Sequence, residues 1–298
     1  MPEGHYVPQF YLKEFTSPDT PLGYEPYVWF YEYETKIWKK KSPKNIASEN
    51  NFYLITDEKG NKSDILEKHL SKIEGAMALV FKNKIIKKRD LDENDRIAIS
   101  TFVAYMMTRT RKTKDIINRF TSEIAKRTME LYRSHPEAIK KLKDEYEADT
   151  GKILPEDFGE AYFDSSKYTI NASNDFLNTL IPPNEDILRI ISDMTWSFVF
   201  SENKNYFITS DSPYNMINPK IKSNIYGQGL IHNGIEVSLP LSKNVCFFGS
   251  WEEKNPLYLD VNEMIVQQLN VRRIMSSYRY VISPQEGFLG KEYLERHK

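Results

Sequence analysis

The chain has 298 residues and a mass of 35.0 kDa, a length that suits about two domains or one large one. Lys plus Arg number 41 and Asp plus Glu 42, so the net charge of −1 excludes a generally basic nucleic-acid coat and an acidic tail protein, though not a local patch. An apolar share of 40% with 13% aromatics excludes a disordered chain, and the single cysteine, Cys246, excludes a disulfide framework or a cysteine-rich metal site.

Taken in order, the opening MPEGHYVPQF lacks the basic start and apolar core of a signal peptide. The longest apolar runs, Ala76–Phe81 and Phe102–Met107, fall far short of the ~20 residues of a membrane span. A soluble cytoplasmic protein in a reducing compartment is expected. Tyr27–Tyr33 reads as a strand, because aromatics fit a pleated surface. Glu34–Lys36 breaks it, Ile37-Trp38 begins a hairpin partner, and Asn51–Ile55 is a further extended candidate. Ser63 or Asp64 can cap a helix with Leu66, Leu70, Ile73 and Met77 on one face. A second helical stretch runs from near Asp92 towards Arg133, with a break expected near Thr110–Lys114 and a stop at His135-Pro136. Ala98, Phe102, Tyr105, Ile117, Phe120, Ile124 and Leu131 recur along it at helical spacing. Asn184–Ser192 looks helical, and Trp196–Phe200 and Tyr206–Thr209 extended. A Gly- and Asn-rich loop follows over Asn215–Gly234. Strands are expected at Ile235–Leu239, Val245–Gly249 and Tyr280–Ile282, and a helix at Asn262–Ser277.

The pattern is α+β: a central helical block packed with a mixed or antiparallel sheet built from N- and C-terminal strands. One domain over 1–298 is expected, strand-rich over 1–62, helical over 63–150 and mixed over 151–298.

Several segments, in one order along nearly the whole chain, resemble the DUF4238 family. They are HYVPQFYLKEF at His5–Phe15, LEKHLSKIEGAMA at Leu66–Ala78, FVAYMMTRT at Phe102–Thr110, and the strand and turn ending ITSDSP at Pro213. SLPLSKNVCFF at Ser238–Phe248 and the helix and strand of Val261–Ile282 complete the likeness. Arg109-Thr110-Arg111 departs from an Arg-Thr-Pro form and leaves a helix free to continue there. The resemblance implies no activity; it marks which positions to weigh first.

His5 is a candidate general base or metal ligand, or else an anchor for the N-terminal strand. Glu67 and Glu74 lie two helical turns apart on one stripe, about 10 Å along the axis. Arg109 falls on the face of Phe102 and Tyr105, so burial would call for a carboxylate such as Glu74. Glu49 could join His5 or cap a turn. Asp211, at a strand end entering a turn, could bind a cation or take a proton, or bond its own backbone as an Asx-turn. From Arg109 to Arg127 a basic stretch includes Arg111, Lys112, Lys114, Arg119 and Lys126 and carries a net +5, with no evident aromatic partners for stacked bases inside it. Cys246 reads as strand packing, and His232, in the Gly- and Asn-rich loop, as a weak catalytic candidate. No Walker A run, G-x-G-x-x-G, G-x-S-x-G or H-E-x-x-H occurs.

Two function classes follow. In the first, the catalytic set is His5, Glu67, Glu74, Arg109 and Asp211. Asp211 and His5 hold a divalent metal (Mg²⁺, Mn²⁺ or Zn²⁺), while Arg111, Lys112 and Arg119 grip a nucleic-acid substrate. The reaction is then phosphodiester hydrolysis, of the kind a nuclease-like toxin or defence effector performs. In the second, the chain is a non-catalytic binding or regulatory module and the same residues are structural.

Overall fold

A computed structural model describes residues 3–56, 59–202, 204–221, 229–252 and 255–287. It divides into two units, Met1–Thr113 with Asn178–Lys298, and Lys114–Leu177. The division falls inside the stretch that the sequence groups as one helical block. The fold is α+β.

The larger unit opens with β1 (Glu3–His5) and α1 (Gln9–Lys13). The aromatic run forms β2 (Val28–Glu32), which turns through Lys36 into β3 (Ile37–Lys41), as the hairpin pattern predicts. β4 (Ser48–Asn50) pairs antiparallel with β1, His5 opposite Ser48. The extended candidate at Asn51–Ile55 is instead a turn between β4 and a small ladder of β5 (Ile55–Thr56) and β6 (Lys62–Ser63). Asn51 has φ 60, which Asn tolerates better than most residues and which ends β4 early.

Helix α2 (Ile65–Val80) buries Leu66, Leu70, Met77 and Val80, the face that its periodicity predicts. One π-helical turn, Phe81–Ile85, extends it. α3 (Glu93–Thr108) starts with a reciprocal cap between Asp92 and Asp95 and buries Ile99, Phe102, Val103 and Met106. It stops at Arg109, and α4 (Arg111–Arg133) begins two residues later, so the expected break is present.

The smaller unit continues α4, then holds α5 (Pro136–Thr150) and α6 (Phe158–Tyr162). Pro136 opens α5 and Gly151, at φ 68, closes it in the left-handed conformation that glycine adopts without strain. α7 (Asn174–Thr179) leads back towards the larger unit.

There, α8 (Glu185–Asp193) precedes β7 (Thr195–Ser201), β8 (Thr209–Ser210), β9 (Asn215–Ile217), β10 (Glu236–Ser242), β11 (Val245–Ser250) and β12 (Tyr258–Val261). α9 (Glu263–Ser276), capped by the Asn262 side chain, and β13 (Tyr280–Ser283) complete it. One sheet has the order β12-β7-β11-β10-β9 and is mixed, because β12 runs parallel to β7. The other, β3-β2-β13-β8, is antiparallel and joins N-terminal to C-terminal strands. β9 lies where a loop is expected from Asn215, and residues 222–228 of that loop fall outside the described residues. The aromatic and aliphatic rows of both sheets, α1, α2, α3 and α8 share one core that includes Tyr11, Phe15, Phe30, Phe102, Phe198 and Phe247. Among the described residues no helix is long and apolar enough to cross a membrane.

Candidate functional site

Helix α2 buries one face and turns another, carrying Glu67, Ser71 and Glu74, towards a cleft of about 340 Å³. The repeat of 67, 71 and 74 is the helical period, so the stripe read from the sequence is one wall. His5, Gln9, Tyr53 and Arg109 line the cleft from β1, α1, the turn after β4 and the end of α3.

Arg109 organises this wall. It is 2% exposed, and its guanidinium uses all three nitrogens. Nη1 donates to Glu74 Oε1 at 2.8 Å, Nη2 to the His5 carbonyl at 2.7 Å, and Nε to the Tyr53 hydroxyl at 3.1 Å. Burial alone would pull the Arg109 pKa down, but Tyr53 and Glu74 beside it hold it above its ordinary value. Burial pushes the Tyr53 phenol up to about 12 against the pull of Arg109, so it stays neutral near pH 7. Its hydroxyl lies 3.2 Å from the His5 carbonyl, to which it donates. The backbone of His5 is therefore clamped from two sides.

The His5 ring is held separately. Its Nε2 lies 3.1 Å from the Lys44 carbonyl. A carbonyl only accepts, so Nε2 carries a proton, and a neutral ring keeps its lone pair on Nδ1. The Glu67 side chain forms no hydrogen bond or ion pair among the described residues, in contrast to that of Glu74. Lys68, also on the wall, pairs with Asp64 at 2.8 Å.

Asp211 is elsewhere and does not line this cleft. It is 1% exposed, and its two oxygens accept the backbone N–H groups of Tyr278 at 2.9 Å and Arg279 at 2.6 Å. Burial pushes its carboxyl up to about 6, with those backbone bonds opposing the shift. It ties the turn after β8 to the entry of β13. The expected pairing of Asp211 with His5 around a metal draws no support from this cleft: both Asp211 oxygens accept from backbone donors, and the residue is not among those lining it. Among the described residues no group of three or more His, Cys, Asp or Glu side chains could hold a metal ion.

The residues expected to grip substrate do not line the cleft either. Arg111 pairs with Glu49 at 2.5 Å, so that Glu49 joins Arg111 and not His5. Lys112 donates to the Ser276 carbonyl at 2.8 Å. Arg119 lies in the smaller unit, on the exposed face of α4. Cys246 is fully buried, and burial pushes its thiol up to about 12. His232 bonds within its loop, its Nδ1 being 2.9 Å from the Asn233 carbonyl.

The structure thus brings together His5, Glu67, Glu74 and Arg109 and leaves Asp211, Arg111, Lys112 and Arg119 outside. Sequence reasoning missed Gln9, Tyr53 and Ser71 in the lining. Gln9 and Tyr53 lie within HYVPQF and NFY, runs weighed only as strand or anchor, whereas Ser71 sits on the Glu67–Glu74 stripe and was there to be found.

A family model described as a protein of unknown function, DUF4238, matches residues 4–286. No curated protein and no solved structure matches the chain.

Proposed function

The chain belongs to the DUF4238 family, and from that premise we propose that the cleft is the active site of a hydrolase acting by general acid–base chemistry on a small polar molecule. The observation that carries this reading is that one cleft is lined both by a histidine whose Nε2 is fixed on a carbonyl and by a glutamate whose side chain has no hydrogen-bond or ion-pair partner among the described residues. His5 Nδ1 takes a proton from water, the hydroxide attacks the substrate, and the imidazolium returns the proton to the leaving group. Glu67 supplies negative charge that stabilises the imidazolium. Arg109, Glu74 and Tyr53 act as the frame that sets the His5 backbone. The volume, about 340 Å³, is that of a small-molecule site. A phosphodiester substrate draws no support from the cleft wall, since Arg111, Lys112 and Arg119 are not among the residues that line it.

The test is a panel of ester, amide, phosphoester and phosphodiester substrates assayed with wild type, His5→Gln and Glu67→Gln, each checked for native circular dichroism. An activity that falls about 10²–10⁴-fold in His5→Gln supports the proposal. Turnover that both variants retain overturns it. A non-catalytic binding module is favoured by one observation: Arg109, Glu74 and Asp211 are all engaged in structural bonds. Ligands that raise the melting temperature of wild type without being turned over would decide for it.

A further inference from the structure

The unit Lys114–Leu177 buries almost nothing. Among its described residues only Lys114 is buried, and α5 buries none. Helices without a packed face gain little from the hydrophobic effect. The apolar residues of α4 are nevertheless ordered in a stripe. Ile116, Phe120, Ile124 and Leu131 recur at helical spacing and are 49%, 66%, 50% and 60% exposed. The first three, with Arg119, Glu123 and Arg127, line a groove of about 410 Å³. The sequence places Ile117, Phe120, Ile124 and Leu131 at helical spacing, and in the fold Phe120, Ile124 and Leu131 point to solvent.

The charges beside the stripe indicate what covers it. Asp115, Arg119, Glu123 and Arg127 alternate in sign at four-residue intervals. If two copies of α4 pair antiparallel about a twofold axis near Thr121, Arg119 stands opposite Glu123 of the second copy. Arg127 stands opposite Asp115 of the second copy, and each pair occurs twice. Parallel pairing would set the two charge stripes on opposite sides of the seam, where none of these pairs forms. The helix extends about as far on either side of Thr121, so the overlap uses nearly all of Arg111–Arg133. We propose that α4 is the interface of a homodimer, an antiparallel helix pair seamed by Ile116, Phe120 and Ile124 and selected by these four ion pairs.

The full chain should sediment at twice 35.0 kDa. Phe120→Asp and Glu123→Arg should each raise the dimer dissociation constant by about tenfold or more, with far-ultraviolet circular dichroism unchanged. The double variant Arg119→Glu/Glu123→Arg restores opposite charges across the axis and should dimerise again. That rescue separates a broken interface from a damaged fold. A monomeric wild type at the highest soluble concentration overturns the proposal. So does a dimer that survives Phe120→Asp, or a double variant that stays monomeric. A monomeric wild type whose binding to a mixed-sequence single-stranded oligonucleotide is lost in Phe120→Asp would place nucleic acid on the stripe instead.

Discussion

Arg109 shows how one buried cation constrains its neighbours. A guanidinium 2% exposed needs its carboxylate, so Glu74→Gln leaves it uncompensated and should cost about 3–5 kcal/mol in urea unfolding. Glu67→Gln breaks no bond and should stay within about 0.5 kcal/mol of wild type. Equal costs for the two variants would contradict the division of roles between them. Asp211 makes a prediction in pH. Its folded pKa of about 6 lies above the ordinary carboxylate value, so it contributes stability at low pH that is lost as pH rises through about 6. Relative to Asp211→Asn, wild type should lose about 2 kcal/mol between about pH 4 and pH 7, measured by denaturant midpoints. Gly4 has a spatial duty. A Cβ there would meet Tyr53 Cδ2 at 3.0 Å and Phe52 Cβ at 3.1 Å, so Gly4→Ala displaces the ring that holds Arg109.

At the scale of elements, legibility followed the range of the forces involved. The buried face of α2, the Glu67–Glu74 stripe and the break after Arg109 are set by local periodicity and were all readable. β12 was missed because its four residues pair parallel to β7, a partner some 60 positions earlier, and carry a mixed burial pattern. The Arg109–Glu74 bond was legible as an alternative because a buried arginine calls for a carboxylate. The part taken by Tyr53 was not, since it depends on how the turn after β4 crosses the end of α3. Asp211 was readable as a turn residue, but its donors lie 67 and 68 positions away. Cutting α2 from its anchor gives the prediction at this scale. Arg109→Ala should free β1 as well as α2, and hydrogen exchange should quicken at Gly4–Tyr6 and around Glu74 together. Exchange confined to α2 would contradict the clamp on the His5 carbonyl.

At the scale of the molecule, the sequence's one helical block is shared between two units, and among the described residues only the larger carries the buried core. Periodicity alone identifies a helix with an apolar side and is silent about what that side meets, which is why α2 and α4 looked alike. The sheet order β3-β2-β13-β8 has a consequence for how the protein is made. Phe30 lies opposite Ile282, so β2 acquires its inner neighbour only after about 250 further residues have followed it out of the ribosome. Until then the β2–β3 hairpin offers one bare edge, and the strand that fills it is synthesised long afterwards. Folding of the larger unit is therefore a late, long-loop closure, slow by topology and dependent on protection of that edge during translation.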